Sequence, residues 1–428
     1  MSWFLQCAEE GCLERQDTAG DAYLCSRCGG LVEVCYDFPP FDPDATRRAW
    51  RERRTSQDSL DRSGVWRFRE LLSFVEPGSR VVSLAEGRTP LLEAPRAGRW
   101  AGGVRLAVKH QGNNPTGSFK DLGMTAAITR AVARGARVVA CASTGNTSSS
   151  MAAYASRAGL KGLIFLPAGK VSSAKLAQAL DFGAFVVEVG ESFDSAFRLL
   201  REVACELGLY VVNSVNPFRI EGQKTLVVEM LEQRGWTPPD YLVMPGGNLG
   251  NASAIGKGLR ELYDLGFISK DPRMVVAQAA GANPFYRMMS GGLSELTPVE
   301  RPETEATAIR IGNPASWRKA RRALIWTRGL VESVTDAEIF DAKRALARDG
   351  IGAEPASCAT LAGLRKLCAA GRIEPESDVV AVLTGHQLKD PEYVIRHAGE
   401  LEAERRFRVD ADHEALRRTL RTILDSGQ

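Results

Sequence analysis

The pattern that constrains this chain most lies between residues 104 and 383, where short β-branched runs alternate with longer helical stretches. Residues 104–109, 137–142, 162–166, 185–189, 210–213, 241–244, 274–278 and 379–383 read as strands. Residues 118–134, 147–157, 193–207, 221–233 and 251–263 read as helices. Strands joined through helices cannot pair as hairpins, so this order dictates parallel sheets with helices on both faces, an α/β fold. Ligands of such sheets bind beyond the carboxyl ends of the strands, and the loops there are expected to carry the chemistry.

With 428 residues, 44% hydrophobic and 25% charged, the chain is long enough for more than one core. Its 55 basic and 52 acidic side chains leave a formal net charge of +3. That is too little over this length to draw nucleic acid or an anionic membrane, so the expected partner is a small molecule. No apolar run approaches the roughly 20 residues that span a bilayer, and residues 1–6 are too short for a secretory signal. The chain reads as cytoplasmic.

Five of the nine cysteines fall in the first 35 residues. Cys7 and Cys12, followed by the knuckle Cys25-Ser26-Arg27-Cys28-Gly29-Gly30, resemble a zinc ribbon. Four thiolates can surround Zn2+ tetrahedrally at about 2.3 Å and supply folding energy that so small a module lacks. The other reading is a metal-free hairpin with unpaired thiols. Cys35 stands outside the spacing, and Cys141, Cys205, Cys358 and Cys368 lie in apolar patterns, where a cysteine acts as a small hydrophobe. The next stretch, residues 39–80, is charge-rich and carries Arg47-Arg48-Ala49-Trp50-Arg51-Glu52-Arg53-Arg54. Such a run could bind RNA, but with so little net charge it reads as a solvated helix linking the ribbon to the body.

Five strand-end loops are rich in Gly, Asn, Ser and Thr. They are Gly112-Asn113-Asn114-Pro115-Thr116-Gly117-Ser118-Phe119-Lys120-Asp121, Ser143-Thr144-Gly145-Asn146-Thr147, Asn213 to Lys224, Pro245-Gly246-Gly247-Asn248-Leu249-Gly250-Asn251, and Leu383-Thr384-Gly385-His386-Gln387-Leu388-Lys389-Asp390. Lys120 stands at a loop-to-helix junction, where desolvation lowers a lysine pKa and frees the amine as a nucleophile. The loop from Gly246 to Asn251 follows an apolar strand and opens a helix, so its N–H groups suit a phosphate. Its spacing is not the G-x-G-x-x-G of dinucleotide sites.

In this order the loops resemble the fold-type II pyridoxal-phosphate (PLP) enzymes, and within them the threonine synthases. The stretches Thr307 to Trp317 and Gly350 to Ser357 extend the resemblance across roughly residues 86–391. It implies two open parallel-sheet α/β domains with PLP between them, a large one over 86–122 and 210–400 and a small one over 123–209. Flanking them would be the zinc ribbon (1–38), a helical linker (39–85) and a C-terminal helical tail (401–428). Lys120 would be the Schiff-base lysine and the catalytic residue. Gly246, Gly247, Asn248, Leu249, Gly250 and Asn251 would hold the PLP phosphate, Asn146 the cofactor 3-oxygen, and Phe119 would pack near the ring. Thr384 would face the pyridine nitrogen, where a hydroxyl, unlike a carboxylate, cannot keep that nitrogen protonated by charge.

A substrate phosphate needs further donors, and Thr147, Ser214, Arg219 and Asn248 match the family's positions for it. Read otherwise, Arg219 is a surface arginine, but it would then repel the N-terminus of the helix it precedes. The implied reaction is O-phospho-L-homoserine and water to L-threonine and phosphate, with an amino-acid phosphate as the partner and a homodimer as an assembly the family allows. His386 reads as a hydrogen-bond partner in a turn. Two departures stand out. The family's Lys-Asp-Arg-Gly is here Lys120-Asp121-Leu122-Gly123, and its Gly-His-Gly-Leu is Gly385-His386-Gln387-Leu388. They leave open a paralogue that performs β- or γ-replacement on another phosphorylated or activated amino acid, as a cysteate synthase would. A non-catalytic, RNA-binding ribbon protein is the remaining alternative, opposed by Lys120, Asn146 and Arg219 together.

Overall fold

The computed structural model describes residues 2–18, 23–167, 173–189, 193–397, 399 and 406–425. Strands β1 (Ser2–Cys7), β2 (Arg15–Gln16) and β3 (Val32–Asp37) form an antiparallel ribbon in the order β2-β1-β3. Ten strands follow: β4 (Leu91–Glu93), β5 (Arg105–His110), β6 (Val138–Ala142), β7 (Lys161–Leu166), β8 (Phe185–Glu188), β9 (Tyr210–Val211), β10 (Tyr241–Pro245), β11 (Arg273–Ala279), β12 (Leu330–Val334) and β13 (Asp378–Leu383). Six of them make a sheet in the order β12-β11-β10-β13-β5-β4, and four make a second in the order β8-β7-β6-β9. Every pairing in these two sheets is parallel except that of β4 with β5.

The α/β expectation holds, and all eight expected strands are present. The alternation of side chains across each sheet explains why they read as apolar runs. Leu242 and Met244 of β10 enter one core with the helices Pro217–Gln233 and Gly250–Asp264, while Tyr241 and Val243 enter another with the helix Pro355–Ala369. In the second sheet Val139 and Cys141 face Met124, Ile128 and Met151, and Ala140 and Ala142 face Leu200. Because β9 pairs with β6, the four-stranded sheet ends at Val211, two residues past the expected division at 209. Cys141 and Cys358 are buried as expected and Cys368 is half-buried; the side chain of Cys205 lies outside the described residues.

The charge-rich segment 39–80 departs from the sequence reading. Its helix Pro43–Arg53 is not solvated all round: Trp50 is fully buried and stacks on Phe267 at 5.0 Å. Trp66, Phe68, Leu71 and Phe74 join the same core. The neighbouring charges are neutralised in place, since Arg67 is buried and donates to Glu232 at 2.9 Å, and Arg53 pairs with Glu70. Such a partner offsets the cost of burying a guanidinium. The segment is part of the body.

The ribbon also joins the body by partly buried polar contacts. Tyr36 donates to Glu221 at 2.7 Å, Lys257 donates to the Val34 carbonyl at 2.7 Å, and Glu33 pairs with Arg322 at 2.7 Å. Residues Asp390–Gln428 form a separate compact unit, described here in the helices Pro391–Arg396 and His413–Asp425. Positions 401–405 and 426–428 of the expected tail lie outside the described residues. Among the described residues no helix is long and apolar enough to cross a membrane.

Candidate active site

Five strands, β5, β6, β9, β10 and β13, end at the five loops singled out above, so the loops share the carboxyl ends of the two parallel sheets. Lys120 is the first residue of the helix Lys120–Ala133. The loop before it is tied to the loop after β13. Phe119 N–H donates to the Thr384 carbonyl at 2.9 Å, His386 N–H donates to the Gly117 carbonyl at 2.9 Å, and Ser118 bridges Gly385. Asp121 closes the turn by accepting from the Thr116 N–H at 2.7 Å and from the Thr116 and Ser150 hydroxyls at 2.6 Å each. Lys120 and Phe119 are thereby presented beside Thr384, with the Lys120 Nζ 4.2 Å from the Phe119 ring centroid.

Lys120 makes no hydrogen bond or ion pair among the described residues. Burial, and then the Arg219 guanidinium, lower its pKa to about 7, against the pull of the Glu354 carboxylate. Asn146, the first residue of the helix Asn146–Ala158, donates its Nδ2 to Glu354 Oε2 at 3.0 Å, and the Thr384 hydroxyl donates to Glu354 Oε1 at 3.2 Å. Thr147, half-buried, stands next along that helix.

Arg219 is buried and sits inside the first turn of the helix Pro217–Gln233. That helix begins four residues before the sequence reading placed it, because Asn216 caps it by accepting from the Phe218 N–H and Pro217 supplies a preset first φ. The guanidinium donates to the Val212 carbonyl at 3.1 Å, its Nε has no partner, and no carboxylate pairs with it among the described residues. Burial lowers its pKa to about 10. The helices bearing Lys120 and Arg219 approach so closely that a Cβ on Gly222 would meet the Leu122 carbonyl oxygen at 1.8 Å, and one on Gly123 the Arg219 carbonyl oxygen at 2.8 Å. Only glycines allow this contact between the two helices.

The loop after β10 ends in Leu249, which holds a left-handed φ of 62° and caps the helix Gly250–Asp264 without a side-chain bond. The first-turn N–H groups of that helix are left for another acceptor. Gly246 packs against Val276, where a side chain would collide at 2.6 Å, and Gly247 packs closely against Ile309. Asn248 donates to the Ser214 hydroxyl and accepts from the Ala315 N–H at 2.5 Å. Among the described residues, Asn251 is buried with neither side-chain polar atom partnered, and Ser118 Oγ and Asn146 Oδ1 are likewise buried without partners. Unpaired polar groups of this kind are costly unless a polar ligand meets them. These residues fit a phosphorylated, hydrogen-bonding cofactor with a carbonyl that the Lys120 amine can attack.

Sequence reasoning missed Glu354, which is buried and joins Asn146 to Thr384, and Ser357, whose hydroxyl lies 3.0 Å from that of Thr384. At the two departures, Leu122 is buried in the main core with Ala126 and Phe218, and Gln387 is exposed with its side chain against Gly352. His386 accepts from the Leu388 N–H at 3.2 Å, a turn-forming role.

At the ribbon, the sulfurs of Cys7, Cys12, Cys25 and Cys28 all lie within 4.8 Å of one another, with Cys7 to Cys28 at 3.4 Å and Cys12 to Cys25 at 3.8 Å. Sulfurs bound tetrahedrally at about 2.3 Å stand roughly 3.8 Å apart, so the donor set fits zinc. Cys35 is outside the cluster, as expected, near Gln6.

Residues 82–385 match the family model described as pyridoxal-phosphate dependent enzyme. The chain is 43% identical over 413 residues to the threonine synthase of Methanocaldococcus jannaschii, covering 96% of this chain and 98% of that one. It is 43% identical over 420 residues to the threonine synthase of Methanosarcina acetivorans, covering 98% of each. Among solved structures, threonine synthase from Escherichia coli matches with a TM-score of 0.70 at 19% identity, over 98% of this chain and 100% of that one. Maize serine racemase matches with a TM-score of 0.64 at 19% identity, over 82% of this chain and 99% of that one. At such identities the structural matches speak for the fold, that of the fold-type II PLP enzymes.

Proposed function

The chain belongs to the threonine synthase family of PLP-dependent enzymes, and from that premise we propose that its cleft converts O-phospho-L-homoserine and water into L-threonine and phosphate. The observation that carries this reading is Arg219, a buried guanidinium with no carboxylate partner among the described residues, whose charge helps lower the Lys120 amine to about 7. A buried cation without a counter-ion is stable only when an anion arrives with the ligand.

PLP, when bound, supplies the electron sink that labilises protons on the substrate carbons and allows phosphate to leave. In this reading Lys120 holds the cofactor and then takes and returns protons at Cα and Cβ, which an amine titrating near neutrality can do in both directions. The first-turn N–H groups after Leu249, with Gly246, Gly247, Asn248, Gly250 and Asn251, hold the cofactor phosphate, a role supported by the uncapped helix end. Phe119 packs near the ring, Asn146 donates to the 3-oxygen, and Thr384 faces the ring nitrogen. Arg219, Thr147, Ser214 and Asn248 hold the substrate phosphate. Residues 123–209 act as the small domain against the large one, and Cys7, Cys12, Cys25 and Cys28 hold a structural zinc.

The location of Leu122 in the core weighs against a changed substrate. Burial of Trp50 weighs against an RNA-binding patch. The test of the assignment is reductive trapping: borohydride treatment followed by peptide mapping places the cofactor on Lys120. A label on another lysine would refute it.

A further inference from the structure

The hydrogen bonds around Thr384 fix where a proton must lie, granted the reading above that Thr384 faces the ring nitrogen of the cofactor. Ser357 Oγ accepts from the Thr384 N–H at 2.8 Å and from the Gly385 N–H at 3.1 Å. A hydroxyl has two lone pairs and one hydrogen, so only the hydrogen of Ser357 remains for Thr384 Oγ1, 3.0 Å away. On its other side Thr384 Oγ1 meets Glu354 Oε1 at 3.2 Å, and a carboxylate can only accept. Thr384 therefore receives one hydrogen and gives its own away, and what it keeps for the cleft is a single lone pair.

We propose that Thr384 meets the cofactor ring nitrogen as an acceptor, which requires that nitrogen to carry a proton, and that Glu354 is the positioning residue that holds the proton there through the threonine hydroxyl. The reverse arrangement places the same proton on Glu354, turns Thr384 into a donor and leaves the nitrogen neutral. The two differ only in which end of the relay holds the proton. This revises the expectation from the threonine alone, because a buried negative charge does stand behind it, one hydroxyl removed.

Among the described residues the side-chain hydrogen bonds of this carboxylate come from Thr384 and Asn146. Glu354 occupies the capping position of the helix Pro355–Ala369 yet makes no side-chain cap bond. It turns instead against Gly385, where a Cβ would come within 2.5 Å of Oε1. Its second oxygen accepts from Asn146 Nδ2 at 3.0 Å, which fixes that amide with its NH2 on the carboxylate side. One carboxylate thus orients the partners assigned to both the ring nitrogen and the 3-oxygen.

The experiment is NMR of the holoenzyme loaded with cofactor carrying nitrogen-15 in the ring. Wild type gives the protonated-pyridine resonance at neutral pH, and Ser357→Ala, which leaves the Thr384 to Glu354 bond in place, keeps it. Glu354→Gln moves it to the neutral-pyridine position while borohydride still traps the cofactor on Lys120. A neutral nitrogen in wild type overturns the relay without any variant having to fold, and so does a nitrogen that stays protonated in Glu354→Gln. Failure of the threonine-synthase reading shows separately, as wild type that releases no phosphate from O-phosphohomoserine.

Discussion

Arg219 holds its guanidinium close enough to Lys120 to lower the pKa of that amine, and among the described residues no carboxylate is bonded to either. The guanidinium disfavours the charged form of the amine, and glycines at Gly123 and Gly222 let the two helices that carry them approach closely. It is an arrangement that suits anions.

The pH dependence of cofactor attachment follows. An amine lowered from 10.5 to about 7 is mostly neutral above pH 7, so the rate at which apoprotein captures PLP should rise through that pH and level off above it. Arg219→Ala removes a cation, raises the amine pKa and moves the midpoint up, and Glu354→Gln removes the opposing charge and moves it down. Stopped-flow absorbance on apoprotein measures the midpoint. A wild-type midpoint near 10 would contradict the geometry.

Substrate affinity should separate from cofactor affinity at Arg219. A charge-assisted, two-pronged contact to phosphate contributes about 2–4 kcal/mol when one partner is truncated. Arg219→Ala is expected to lower kcat/KM for O-phosphohomoserine by roughly 30- to 1000-fold with PLP content unchanged. Arg219→Lys recovers only part, because a point charge lacks the planar fork. Steady-state kinetics beside cofactor quantitation decide this.

Stability should fall sharply at Trp50. Truncating a fully buried tryptophan costs about 3–5 kcal/mol, whereas a change on a solvated helix stays within about 0.5 kcal/mol. Denaturant unfolding of Trp50→Ala distinguishes the two.

The ribbon is expected to bind one zinc per chain through Cys7, Cys12, Cys25 and Cys28, and Cys25→Ser with Cys28→Ser should lose it. The contact of Tyr36 with Glu221, two residues beyond Arg219, gives the loss a route to the cleft. The variant should therefore melt earlier and show a raised KM for the phosphorylated substrate, with kcat less affected. Elemental analysis that finds no metal in wild type would remove this claim.

The placement of the candidate site's loops at strand ends was legible because each loop is local. Lys120 follows a turn of small residues and starts a helix, and the Gly246 to Asn251 loop follows an apolar strand, so residue type and position sufficed. The strands β4 and β12 were harder, one with three residues on the antiparallel edge and the other carrying Glu332 and Ser333 in five. Trp50 and Trp66 were hidden by the charges around them, whose partners, such as Glu232 for Arg67, lie far along the chain. Glu354 was invisible as a site residue for the same reason. A glutamate before Pro355 reads as a helix cap, and only the fold brings it to Asn146, 208 positions away.

The most direct test of the account is the stoichiometry of products from O-phosphohomoserine. Wild type should release phosphate and form threonine in equal amounts, Lys120→Ala should form neither, and Arg219→Ala should be slowed while it retains its cofactor. Wild type that releases no phosphate from O-phosphohomoserine but turns over an unphosphorylated amino acid, with Arg219→Ala indistinguishable from it, would contradict the assignment while leaving a PLP enzyme in place.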